Sequence, residues 1–215
     1  MPRTPRKPPP PTLLLLVRHG QTPTTGDRLP GRARGLHLSD EGRAQAQAVA
    51  ERIAALPKVD AVYASPLERT RETAGFIAAR RDLRVTTERG LLECDFGDWT
   101  GGELKTLRKA PEWRTVQRYP SGFRFPNGES FVEMQARVVS TLERLRRSHP
   151  GGTVVAVSHA DPIKAATAAA VGTHLDLFQR IVISPCSVTA MVYGDDGPVV
   201  LTVNAVDDLK ALKPS

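Results

Sequence analysis

Two histidines in this chain follow apolar runs directly. Leu13 to Val17 leads into Arg18-His19-Gly20, and Thr153 to Val157 leads into Ser158-His159. A short, continuous apolar run is the signature of a strand buried on both faces. Open α/β sheets gather their active sites just past the carboxyl ends of such strands. Arg18 adjoins the first histidine, and Arg69 falls in the first turn of a helix that follows a third strand. Each helix N-terminus adds free backbone N–H groups and partial positive charge. Two imidazoles, two guanidiniums and helix N-termini therefore converge on one place. Burying so many donors without an anion is costly, so the natural occupant is a tetrahedral oxyanion.

The elements that must position these groups can be read from the pattern. Thr12 to Val17, Asp60 to Ala64, Leu83 to Thr87 and Thr153 to Val157 read as strands. Ser39 reads as the cap of a helix with Asp40 and Glu41 in its first turn and an apolar stripe of Ala46, Val49, Ile53 and Leu56. Ser65-Pro66 reads as the start of the next helix, with Ser as cap and Pro in the first turn. Residues 88–127 are irregular, with one short helix expected near 102–109. Asn127-Gly128-Glu129-Ser130 precedes a long amphipathic helix carrying Val132, Val138, Val139, Leu142 and Leu145. Ala160 to Val171 reads as helix, with Asp161 as a capping residue. Ile181 to Ile183, Val188 to Tyr193 and Val199 to Val203 read as strands around the turn Gly194-Asp195-Asp196-Gly197. The order predicts an α/β fold, a three-layer α/β/α sandwich on a mostly parallel central sheet.

Composition sets outer bounds. The chain has 215 residues, which suits one domain better than two. Lys and Arg number 30 against 23 for Asp and Glu, a net charge of +7 that favours anionic partners. Part of that charge sits in a basic, proline-rich arm at 1–11, which cannot enter a helix or a central strand and is expected to be disordered. A single domain over 12–209 follows, with a cap segment near 100–127 and a tail at 210–215. The two cysteines, Cys94 and Cys186, form neither a disulfide framework nor a metal-ligand pattern, and they suit a reducing compartment. No apolar run near the start is long enough for a signal peptide or a membrane span, so a cytoplasmic location is the default.

Six segments, in order, resemble the histidine phosphatase superfamily, also called phosphoglycerate-mutase-like. They are Leu16-Val17-Arg18-His19-Gly20-Gln21-Thr22; Leu38-Ser39-Asp40-Glu41-Gly42 with Gln45-Ala46; Ala64-Ser65-Pro66-Leu67-Glu68-Arg69-Thr70-Arg71-Glu72-Thr73-Ala74; Leu92-Glu93-Cys94-Asp95-Phe96-Gly97-Asp98-Trp99-Thr100-Gly101; Gly128-Glu129-Ser130; and Val157-Ser158-His159. The resemblance implies that His19 is the nucleophile that takes the phosphoryl group. It implies that Arg18, Arg69 and His159 hold the phosphoryl oxygens and that Glu93 protonates the leaving oxygen. Gln21, Thr22, Thr25 and Ala160 are further expected contacts of the phosphate. The chain departs from the family at Thr25, where Asn is frequent, at Pro30, where phosphatase members often carry Gln, and at Ala160-Asp161, where Gly usually follows the second histidine.

Elementary chemistry supports those roles. Neutral imidazole is a good nucleophile near pH 7, and a covalent intermediate splits one hard step into two. Phosphoryl transfer needs in-line positioning and preorganised positive charge. Glu93 must be protonated in the first half-reaction, so its pKa is expected to be raised. Arginines take the place of a metal, and no metal or cofactor is expected.

The main expectation is therefore hydrolysis of a phosphorylated small molecule. Phe96 and Trp99 after Glu93 match the phosphatase branch; the mutase branch tends to have Lys eleven residues after the acid, where this chain has Leu104, with Lys105 beside it. A phosphoglycerate mutase-type phosphomutase is the alternative. A non-catalytic phosphate- or nucleic-acid-binding protein is the third reading. It is the weakest, because no basic motif interleaved with aromatics appears. No membrane partner is expected, and a homodimer is left open.

Overall fold

The computed structural model describes residues 9–206. The expectations for 1–8 of the arm, for the domain boundary at 209 and for the tail lie outside the described residues.

Six strands form one sheet in the order β3-β2-β4-β1-β5-β6. They are β1 (Thr12–Arg18), β2 (Ala61–Ala64), β3 (Val85–Thr87), β4 (Thr153–Ser158), β5 (Val188–Gly194) and β6 (Gly197–Ala205). β1 runs parallel to β4, and β2 runs parallel to both β4 and β3. β5 is antiparallel to β1 and forms a hairpin with β6. The sheet is mostly parallel, as the sequence pattern predicts.

Helices cover both faces. On one side α1 (Asp40–Ala54) and α2 (Glu68–Ala79) pack on Leu13, Leu15 and Val17 of β1. On the other α5 (Phe131–Ser148) and α6 (Ala160–Ala170) pack on Leu14 and Leu16. The alternation of β1 side chains between two cores is what an uninterrupted leucine run provides. Ser39 caps α1, accepting from the Gly42 N–H. Ser130 and Glu133 form a capping box at the start of α5. Val132, expected on the inner stripe of α5, is exposed, while Val138, Leu142 and Leu145 are buried.

Between β3 and α5 the chain builds a cap from three 3-10 turns and the short helices α3 (Leu104–Leu107) and α4 (Trp113–Arg118). α3 falls where a short helix was expected; α4 carried no apolar repeat long enough to announce it. A third core, with Phe96, Val116, Phe125, Phe131, Met134 and Phe178, ties the cap to α5 and α6.

Three expectations need correction. Ser65-Pro66 does not start α2. Pro66 biases Ser65 away from helical angles, Leu67 remains extended, and the helix begins at Glu68. Ile181 to Ile183 is not a strand: the Ile183 carbonyl accepts from Arg18 Nη1 at 2.7 Å instead of joining a ladder. Asp161 does not cap α6, because His159 occupies the cap position and the Asp161 carboxylate pairs with Lys164 Nζ at 3.2 Å.

Candidate active site

Sheet register brings the two histidines together. Arg18 pairs with Ser158 across β1 and β4, so His19 and His159 leave adjacent strands at the same level. The His19 N–H donates to the Ser158 carbonyl at 3.0 Å. The two ring centroids lie 5.2 Å apart.

Arg69 is fully buried and reaches both rings. Its Nε donates to His19 Nε2 at 3.3 Å, and its Nη2 donates to His159 Nδ1 at 3.3 Å and to the Gly31 carbonyl at 2.7 Å. These bonds assign the tautomers. His19 carries its proton on Nδ1, which donates to the Gly20 carbonyl at 2.7 Å and leaves a lone pair on Nε2. His159 carries its proton on Nε2, which donates to Ser65 Oγ at 2.8 Å. Burial, together with the Arg69 and Arg18 cations, pushes the His19 pKa well below 6.5. Burial and Arg69 do the same for His159. Two buried guanidinium nitrogens, Arg18 Nε and Arg69 Nη1, have no hydrogen-bond partner. Unmatched cationic donors in a buried place are costly and suit an anionic occupant.

The loops that carry these groups pack tightly. A Cβ on Gly20 would lie 2.4 Å from the Gly42 carbonyl oxygen, and one on Gly42 would lie 2.0 Å from the Gln21 carbonyl oxygen. The turn after β1 and the first turn of α1 therefore interlock only because both positions are glycine. Thr73 Oγ1 accepts from the Gly20 N–H at 3.1 Å, which ties that turn to α2 as well.

Glu93 is 7% exposed, and its Oε1 accepts from the Cys94 N–H at 2.9 Å. Burial, and then the negative charge of Asp161, push its pKa up to about 8, which keeps the carboxyl protonated near neutrality. The adjacent Cys94 is buried and its thiol is pushed up by the same burial, so it is a packed, inert group.

The remaining expected contacts fall into two kinds. Thr22 is buried, and its N–H donates to Thr25 Oγ1 at 2.9 Å, so Thr25 closes a local turn. Gln21 is half-buried, with its N–H tied to Gln45 Oε1 at 3.0 Å. Ala160 is the first residue of α6, where backbone N–H groups lack intrahelical acceptors. Pro30 accepts from the Ala33 N–H in a turn that presents the Gly31 carbonyl to Arg69.

Three groups near the site were not foreseen in these roles. Arg137 donates to the carbonyls of Gly90, Leu92 and Glu93 and grips Glu129 with Nε and Nη2 at 2.9 and 2.8 Å. Arg32 donates to the Glu93 carbonyl at 2.9 Å and pairs with Asp95 and Glu129. Ser65, read as a helix cap, instead orients His159. Only the Gly128-Glu129-Ser130 segment gave a signal for any of these. His37 pairs with Glu72, and His174 caps its own 3-10 turn through the Asp176 N–H.

Comparison with known proteins places this geometry in company. Residues 14–206 match the family model described as histidine phosphatase superfamily (branch 1). The chain is 36% identical over 170 residues to phosphoserine phosphatase 1 of Hydrogenobacter thermophilus, covering 77% of this chain and 79% of that one. It is similar to a solved phosphoserine phosphatase of Entamoeba histolytica, in complex with phosphoserine, at TM-score 0.83 and 26% identity, over 92% of this chain and 99% of the other. It is also similar to a mycobacterial glucosyl-3-phosphoglycerate phosphatase, at TM-score 0.80 and 28% identity, over 90% and 98% of the two chains.

Proposed function

The chain belongs to the histidine phosphatase superfamily (branch 1), and from that premise we propose that it hydrolyses phosphomonoesters of small metabolites through a phosphohistidine on His19, without a metal. One observation carries the reading: the unprotonated His19 Nε2 sits against Arg69 in a buried cluster that also holds a carboxyl raised to about 8.

The mechanism follows from that arrangement. The substrate phosphoryl oxygens take the donors of Arg18 and Arg69, the free N–H groups at the start of α6, and His159 Nδ1, which carries the ring proton once Arg69 turns away and Nε2 accepts from the Ser65 hydroxyl. Arg69 turns from His19 Nε2 to the phosphoryl group, which exposes the lone pair. His19 Nε2 forms the N–P bond as the ester P–O bond breaks, and Glu93 gives its proton to the leaving oxygen. The Gly20 carbonyl holds the Nδ1 proton as positive charge develops on the ring. In the second half, Glu93 takes a proton from water as the water oxygen attacks phosphorus. The N–P bond breaks and phosphate leaves. The arginines stabilise the equatorial oxygens in both steps.

Relatives named for phosphoserine and glucosyl-3-phosphoglycerate support a small phosphorylated substrate. Among the described residues no helix is long and apolar enough to cross a membrane. We take the cytoplasm as the working compartment, which two free, buried cysteines fit. The test is a phosphoester panel run with EDTA beside His19→Ala. Hydrolysis that survives EDTA and is lost with His19 is expected; activity that survives in His19→Ala, or that EDTA abolishes, overturns the reading.

A further inference from the structure

A cavity of about 160 Å³ lies under the cap. Leu29, Phe96, Trp99 and Trp113 form much of its wall, with Gln117, Asp161 and Gln179 as polar members. Trp99 and Trp113 lie nearly parallel, at 12° and 6.3 Å between centroids, and Trp99 also meets Phe125 edge-on at 5.5 Å. The wall is thus built of fixed aromatic surface, and a void of this size admits a single ring.

Three wall segments are continuous with the phosphoryl site. Leu29 is two residues before Gly31, whose carbonyl holds Arg69. Phe96 is three residues after Glu93, and Asp161 is two after His159. Asp161 also raises the Glu93 carboxyl and acts on the Arg18 guanidinium, so the wall it belongs to borders the phosphoryl site. The cavity also lies along the Glu93 loop, and Glu93 protonates the departing oxygen. A group attached to that oxygen therefore has this cavity within reach.

The charge pattern narrows what can enter. None of the described residues lining the cavity is basic. Of the cations near Asp161, Lys164 is committed to it at 3.2 Å and to Gln179 Oε1 at 3.1 Å, and Arg18 belongs to the phosphoryl site. A leaving group with its own carboxylate would meet the Asp161 carboxylate and a wall of rings with no basic residue in it. A neutral ring meets matching surface.

We infer that this cavity is the leaving-group subsite and that it selects phosphomonoesters of uncharged, ring-bearing or bulky apolar alcohols over esters that carry a carboxylate near the phosphate. The inference rests on the hydrolase reading above and adds the class of substrate. It also separates this chain from relatives named for phosphoserine and phosphoglycerate derivatives.

The experiment compares kcat/KM for 2-phenylethyl phosphate, ethyl phosphate, 2-phosphoglycolate and 3-phosphoglycerate. All are alkyl esters, so leaving-group chemistry varies little and the attached group decides. Filling the cavity should favour 2-phenylethyl over ethyl phosphate about 10- to 200-fold, with both carboxylate esters below ethyl phosphate. Trp113→Ala should bring the phenylethyl-to-ethyl ratio toward one. Asp161→Asn should raise the phosphoglycolate-to-ethyl ratio. Both readouts are ratios within one preparation, so a partly folded variant does not mimic them. No turnover of any ester overturns the hydrolase reading and the subsite with it. Turnover of ethyl phosphate with no ring preference, or with a preference for the carboxylate esters, overturns the subsite alone.

Discussion

The His19 and His159 imidazoles meet in a T-shaped pair with centroids 5.2 Å apart and planes at 66°. Two rings this close, buried and sharing the Arg69 guanidinium, do not both take protons. Burial leads the downward shift of each pKa, and Arg69 follows. His19 is therefore neutral and nucleophilic across the physiological range, and the acid limb of kcat/KM should fall below pH 6.5. The folded histidines bind fewer protons than the unfolded ones just below the ordinary histidine pKa. Stability therefore falls as pH drops through about 6.5. Thermal melts from pH 8 to 5 should show this loss, with a shallower slope in His19→Ala. An activity limb at or above 6.5 would show that the ring is not shielded as described.

Glu93 gives the opposite dependence. Its carboxyl is raised to about 8, with burial as the leading cause. The folded state holds the extra proton from the unfolded carboxyl pKa up to about 8, so its stabilising contribution declines over that range as pH rises. Glu93→Gln keeps the shape and removes the ionisation. Its melting temperature should gain on the parent between pH 5 and pH 8, and the basic limb near 8 should vanish from its rate profile. Turnover of alkyl phosphates should fall by about 10²–10⁴, while aryl phosphates, which leave without a proton, should lose far less. Equal losses for both ester classes would assign Glu93 to binding instead.

Arg18, His19, Arg69 and His159 could be singled out from the sequence because each sits beside a strand end or helix start that the local pattern marks, whereas Glu93, in an irregular segment, rested on the family resemblance. Leu13 to Val17 and Thr153 to Val157 predict buried strands, and their adjacency in the sheet brings His19 to His159. Ser39 and Ser130 announce their helices through local capping chemistry. Less visible were roles that depend on residues distant in sequence. Ser65 looks like a cap until its hydroxyl meets a histidine 94 positions away. Arg137 looks like a solvated cation on the outer face of an amphipathic helix until the fold brings three carbonyls to it. Cap helix α4 has 6 residues, too few to establish a period.

Those distant contacts make a prediction. Arg137 and Arg32 meet on the Glu129 carboxylate, at 2.8 and 3.0 Å, and both donate to the Glu93 main-chain carbonyl. Neither touches the reacting atoms, so they act as positioning residues for the acid. Arg137→Lys keeps the charge but breaks the fork that spans Glu129 and the carbonyls. A misplacement of about 1 Å can cost on the order of 10²-fold. Alkyl phosphate turnover should fall by about 10- to 100-fold with aryl phosphate turnover largely spared, the pattern of a displaced acid. A uniform loss that tracks the melting temperature would make the clamp structural only.

The fate of the His19 adduct separates phosphatase from phosphomutase. Both begin with the same N–P bond, so trapping phosphohistidine identifies the nucleophile and not the reaction. They differ in whether water or a bound acceptor takes the phosphoryl group. A mutase must hold its acceptor with cations near the acid and must exclude water. Here the position eleven residues after Glu93 is Leu104, whose N–H donates to the Asp27 carbonyl as α3 begins, and the neighbouring Lys105 is exposed. Glu93 itself, protonated at neutrality until it gives up its proton to the leaving group, is then the base that water needs. Labelled phosphate on His19 should therefore pass to inorganic phosphate with no added acceptor, at a rate close to steady-state hydrolysis. Rapid-quench measurement of the labelled protein gives that rate directly. An adduct that survives in water over many turnovers, with fast exchange between 2- and 3-phosphoglycerate, would make the protein a mutase.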